Sequence, residues 1–293
     1  MRERVSPLPS RFRDGRRTLL PAFAWWAIFL ILPIGLVLIS SFFRRGTFSG
    51  VVYDFTLDNY IRALDPLYLG VLVYSVQVAT LTTAICLLVG FPAAYFIATR
   101  PSARVRTALL VLVVLPFLTN FLIRTYAWIV LLNREGVINQ GLRSVGLIDA
   151  PLDLLYNDFA IVLGLVYGYL PLMILPLYAA LERLNPDVRE AALDLGARPL
   201  RILRTVTLPL VLPGIVAGCV FVFVPSLGNF LVPQLLGGGR RIMVGNLVNQ
   251  QFLEARDWPF GSTLALMLMA ILMILLVVQA RALRRTREIG LDG

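Results

Sequence analysis

Six stretches of this chain contain no charged residue at all: 18–43, 66–99, 107–123, 159–181, 205–239 and 258–280. A helix needs about 20 mainly apolar residues to cross the hydrocarbon core of a bilayer, with about 17 as the lower limit, so each stretch has room for one crossing. A mean hydropathy of +0.79 over the whole chain rules out the alternative, a soluble protein with six buried core helices. The expected architecture is therefore all-α, a six-helix polytopic membrane protein with spans at about 19–43, 70–98, 107–130, 159–181, 207–236 and 261–281. The third run is the shortest; it continues through Arg124 into TYAWIVLLN and is expected to bend or run obliquely there. Residues 242–253, IMVGNLVNQQFL, are too few and too polar to cross, and read as an interfacial helix or a wall element.

Orientation follows from arginine, since short loops rich in this residue stay on the cytoplasmic side. All 27 basic residues are Arg. Eighteen fall in the N-terminal tail, the 100–106 loop, the 183–204 segment and the C-terminal tail; eight fall in the alternate loops, and Arg124 stands apart. Both termini are thus expected in the cytoplasm, with a basic tail over 1–18, a membrane domain over 19–285 and a second tail over 286–293. The net charge of +10 reads as membrane topology and not as a nucleic-acid surface, because the arginines flank apolar runs.

Two absences narrow the chemistry. A chain without His or Lys cannot build a Walker A phosphate loop, a Lys Schiff base, a His-based triad or a His metal site. No catalytic residue, metal site or bound cofactor is expected, and any energy source must come from another protein. Cys86 and Cys219 lie within apolar stretches, where a thiol packs as a small hydrophobe. GGGRR at 237–241 lacks the Lys and the Ser or Thr of a phosphate loop, and reads as a turn closing span five.

Against this background REAALDLGARP, residues 189–199, stands out. Asn185 and Pro186 form an N-cap and first-turn pair, and Asp187 and Glu190 lie near the positive end of the helix dipole. A short helix over about 186–195 should result, closed at Gly196 by a left-handed residue, with Pro199 restarting the chain as helix. Ala191 and Ala192 leave room for another backbone, while Glu190 offers an acceptor to a cationic partner. Local physics alone leaves two readings open, a docking knob and a well-capped cytoplasmic hairpin.

The pattern E-A-A, three residues, G, and then Leu208-Pro209 resembles the EAA loop of binding-protein-dependent ABC importer permeases. Three further stretches, NFLIRTYAWIVLLNREGVINQGL (120–142), PSLGNFLVPQLLGGG (225–239) and GNLVNQQFLEARDWPFG (245–261), are similar to the first permease subunit of spermidine/putrescine importers. The resemblance covers most of the chain from residue 58 onward. It implies the type I ABC importer transmembrane fold in a bacterial inner membrane, and a coupling role for Glu190, Ala191, Ala192, Asp194 and Gly196 against a cytoplasmic ATPase. It also implies a second, homologous permease subunit, two ATPase subunits that use ATP and Mg, and an outer-side solute-binding protein. The cargo it implies is a small organic cation, a polyamine first; the same role for another solute is the alternative, and a stand-alone secondary transporter or channel is the alternative from a different class. Relatives often carry Asp where this chain has Asn229, so an amide replaces a counter-charge.

Candidate substrate-path residues follow. Ser226, Gly228, Asn229 and Phe230 surround an expected break in span five, where freed carbonyls and an amide need either a cavity or a packed neighbour. Arg124 is the one charge in an apolar setting and reads as an interfacial anchor, with a place in the path as the other reading. Tyr126 and Trp128 beside it read as an interfacial belt, or as a cation-binding aromatic wall.

Overall fold

The computed structural model describes residues 14–46 and 50–289. Its elements are helices α1 (Asp14–Ser40), α2 (Asp58–Ala63), α3 (Pro66–Ala98), α4 (Ala103–Leu118), α5 (Phe121–Leu132), α6 (Val137–Ser144), α7 (Asp158–Glu182), α8 (Pro186–Asp194) and α9 (Pro199–Ile202). A π-helical turn over Leu203–Thr207 leads into α10 (Leu208–Leu227), α11 (Leu231–Leu236), α12 (Val244–Leu253) and α13 (Trp258–Ile289). A two-residue antiparallel pair, Arg44↔Val52 and Arg45↔Val51, is the only strand structure among the described residues. Five helical stretches are long and apolar enough to cross a bilayer, or six if the bent pair Ala103–Leu118 and Phe121–Ser144 is one broken span.

Three helices make the core. α3, α7 and α10 pack on one another, enclosing Cys86, Ala94, Met173, Leu177, Val211 and Val222. Cys86 is fully buried and both thiols are free, as packing residues would be. α1 lies against α13 at the edge, and no residue of its Phe23–Ser40 stretch is fully buried inside this chain. Such apolar exposure is what lipid or a partner covers.

Two of the expected spans are not continuous helices. The third, expected over 107–130, breaks at Thr119–Asn120, four residues before Arg124, and the Phe121–Ser144 stretch turns 87° away from α4. Pro116 weakens the end of α4, Thr119 is extended (ψ 155°), and Asn120 restarts the helix by accepting the Leu122 and Ile123 N–H groups at 2.8 and 3.3 Å. The fifth, expected over 207–236, ends at Leu227 and resumes at Leu231. At the ends, α1 already includes 14–18 and α13 runs on through 286–289, so these parts of the expected tails are helical; 1–13 and 290–293 lie outside the described residues.

Charged groups gather at the two ends of the bundle. Arg106 pairs with Glu182 at 3.7 Å, joining the start of α4 to the end of α7 beside α8. At the opposite end Arg62 pairs with Asp257 at 2.9 Å, and Asp158 accepts from Tyr74 Oη at 2.8 Å with Arg241 at 3.8 Å.

Candidate functional site: a capped knob and two joined helix breaks

The segment after α7 folds as its residues dictate. Asn185 Oδ1 accepts the Asp187 N–H at 3.1 Å, and Pro186 opens α8. At the other end the Gly196 N–H donates to Leu193 O at 2.8 Å and the Ala197 N–H to Ala192 O at 3.1 Å, the paired bonds of a Schellman closure. That closure needs a left-handed residue, and Gly196 has φ +76°. Glu190, Ala191, Asp194 and Gly196 are exposed, and Ala192 is half-buried.

The surface of this knob also holds apolar groups that a reading centred on its small and acidic residues passes over. Leu195 is 88% exposed and Leu200 60% exposed. A cavity of about 450 Å³ lies between α8 and the bundle, bordered by Tyr95, Leu181, Val188, Glu190, Leu193 and Leu210. The knob therefore stands off the bundle with apolar side chains uncovered, as a surface awaiting a partner does.

The second region joins the two helix breaks. Asn229 is 9% exposed; its Nδ2 donates to Tyr169 Oη at 2.7 Å and its Oδ1 accepts the Val232 N–H at 2.9 Å. Tyr169 Oη in turn donates to Pro225 O at 3.3 Å, and its ring stacks on Phe121 with centroids 6.4 Å apart. Tyr169 of α7 thus ties the break in span five to the restart of span three, and α5 packs on α11. Nothing in the local pattern around Tyr169 distinguishes it from other aromatics in the spans.

For the break around Ser226, Gly228 and Asn229, read as needing either a cavity or a packed neighbour, the side chains of Ser226 and Asn229 find their hydrogen bonds within the chain. Ser226 is fully buried and its Oγ donates to Val222 O at 2.6 Å. α12 covers the break: a Cβ at Gly245 would lie 2.5 Å from Gly228 O and 2.9 Å from Asn229 O, so the two backbones touch only because Gly245 has none. Asn246 Nδ2 donates to Phe230 O at 2.6 Å, and Ser75 Oγ accepts the Val244 N–H at 2.8 Å. The short polar helix is thus a wall element, and its Asn246 supplies a donor to a carbonyl freed at the break.

Arg124, read either as an interfacial anchor or as part of the path, is buried within the chain. It is 8% exposed, its Nη1 donates to Pro116 O at 2.7 Å, and its guanidinium lies 5.3 Å from the Phe121 ring centroid and 5.4 Å from that of Tyr167. The carbonyl left free at the end of α4 and two aromatic faces hold the cation within the chain. Trp128 is half-buried, edge-on to Tyr167 at 5.4 Å. Tyr126 is 49% exposed and Phe230 41% exposed, so these two aromatics face out of the chain. At the end of α11, Gly238 (φ +61°) and Gly239 (φ +72°) make the expected turn.

Residues 90–288 match the family described as binding-protein-dependent transport system inner membrane component. The chain is 42% identical over 260 residues to the spermidine/putrescine transport system permease protein PotB of Escherichia coli (strain K12), covering 89% of this chain and 94% of that one. It is equally 42% identical to PotB of Haemophilus influenzae, covering 89% and 91%. Among solved structures, a bacterial ABC transporter involved in the import of the acidic polysaccharide alginate superposes with a TM-score of 0.73 over 93% of this chain and 96% of that one, at 19% identity, a likeness of fold. The chain belongs to the binding-protein-dependent transport system inner membrane component family, as a multi-pass permease subunit of an ABC importer.

Proposed function

We propose that this permease passes a polyamine, spermidine or putrescine, through a path formed with a second, homologous permease subunit. The observation that carries the cargo is the 42% identity to PotB over nearly the whole of both chains. In this reading α8, through Glu190, Ala191, Ala192, Asp194, Gly196 and the exposed Leu195, fits one of two cytoplasmic ATPase subunits, which bind ATP and Mg; this chain binds neither. The Schellman closure makes α8 stiff enough to transmit a push, and the cavity behind it leaves room for one. Both termini lie in the cytoplasm with the arginine-rich loops, and a solute-binding protein delivers cargo at the opposite end. Lipid covers the remaining apolar faces, and nucleic acid has no part in the activity.

A second reading keeps the permease role for another solute. It is favoured by Asn229, since the amide there carries no counter-charge for a dication and is already engaged by Tyr169 and Val232. The experiment that decides is uptake of radiolabelled spermidine into proteoliposomes holding the purified complex with its binding protein. ATP-dependent uptake that unlabelled putrescine suppresses, and an amino acid does not, is the expected result. Purification without an ATPase, or uptake by this chain alone, would overturn the importer assignment of its partners.

A further inference from the structure

The wall helix α12 does more than cover the break, because its outward side borders a recess of about 130 Å³ between α11, the 239–242 turn and α12 itself. Gln234, Asn246, Asn249, Gln250 and Glu254 line it together with Arg241. Asn246 is 7% exposed, and its Oδ1 is buried with no hydrogen-bond partner. The amide cannot be turned to relieve this, because its Nδ2 is held by Phe230 O at 2.6 Å and a flip would set two carbonyl oxygens against each other. A buried acceptor without a donor costs free energy, so a donor that reached it from the recess would be favoured.

The charges bordering the recess point the same way. Arg241 is turned toward Asp158, 3.8 Å away, and toward the Tyr74 ring at 5.4 Å, which leaves its charge engaged. Glu254 makes no ion pair among the described residues. The recess therefore offers side-chain amides, one of them with an unpaired oxygen, and a carboxylate free of an ion pair, beside an arginine turned toward Asp158, a set that can hold a primary ammonium.

We propose that this recess is an outer-side subsite for a primary ammonium group, where one end of an aliphatic polyamine is held beside the span-five break. The inference rests on the polyamine reading for the identity of the cargo, and on the recess alone for the chemistry of the group bound. Gln234, being exposed, is the natural reporter, with Asn249 as a second. In the full complex lacking Cys86 and Cys219, Gln234→Cys or Asn249→Cys is alkylated with a small neutral thiol reagent in the presence of spermidine. Saturating spermidine should slow alkylation at least about fivefold, and adding Glu254→Gln should raise the half-protecting concentration about tenfold, the loss expected for one charge-assisted bond. Glutarate, and sodium chloride at equal ionic strength, should not protect. No protection at either reporter, protection equally by salt or glutarate, or an unchanged half-protecting concentration in Glu254→Gln would overturn the subsite. Spermidine uptake by the unsubstituted complex is measured alongside: uptake without protection removes the recess and keeps the cargo, while protection without uptake keeps the recess and removes the cargo.

Discussion

Asn229 offers the sharpest test of how the break in span five is held, because substitutions separate its two bonds. Asn229→Leu removes both, leaving the Val232 N–H, which the amide satisfies at 2.9 Å, without an acceptor, and Tyr169 Oη without the amide donor at 2.7 Å. A buried unsatisfied backbone donor costs about 1–3 kcal/mol and a lost neutral side-chain bond about 1 kcal/mol, so the change should cost about 2–4 kcal/mol. For a chain of this size that corresponds to a fall of roughly 3–7 °C in melting midpoint. Asn229→Asp keeps the acceptor for Val232, and Tyr169 Oη can turn from Pro225 O, 3.3 Å away, to donate to the carboxylate; its fall should be well under half as large. The assay is thermal unfolding of the purified complex in lipid nanodiscs, followed by tryptophan fluorescence. A leucine variant melting with the unsubstituted protein would refute the account of the break. Because the amide is turned inward, Asn229→Asp should also affect transport of all solutes alike; an effect confined to dications would show that the side chain reaches the path.

Three further outcomes are expected. Gly196→Val forces a β-branched residue into φ +76° and should misplace α8, so that transport and ATPase association fall while membrane abundance stays near normal; immunoblotting alongside uptake checks this, and normal transport would remove the coupling assignment. Arg124→Leu removes the bond to Pro116 O and both ring contacts and should cost about 1–3 kcal/mol at the bend of span three, read by the same melting assay; an unchanged midpoint would return Arg124 to the role of surface anchor. Single cysteines at 103 and 195, without Cys86 and Cys219, should be shielded from an impermeant outside reagent while one at 140 reacts, and the opposite pattern would invert the orientation.

Much of this protein is legible without coordinates, because the properties concerned are local or compositional. Uncharged runs long enough to cross a bilayer give the spans, since no water inside the membrane can solvate a charge. Residues 185–199 carry their own capping groups, and α8 with its left-handed Gly196 follows from hydrogen bonds among neighbours in the chain. The turn at 237–241 is local for the same reason. Where the breaks in spans three and five find their partners is a different kind of question. Pro116, Pro225 and Gly228 say that backbone groups are freed nearby, but the carbonyls at the break in span five are answered from farther along the chain: Tyr169 reaches Pro225 O across 56 positions and Asn246 reaches Phe230 O across 16, while Ser75 holds the start of the covering helix, at Val244, across 169. Arg124 looked like a surface anchor because its depth can be counted along a helix, whereas the bend that turns it onto Pro116 O depends on packing against α7 and α11. Local bonding and hydropathy are functions of short windows and so are written in the sequence; which polar group answers which freed carbonyl depends on how helices cross, and that was decided only when α3, α7 and α10 packed together and α12 closed over the break.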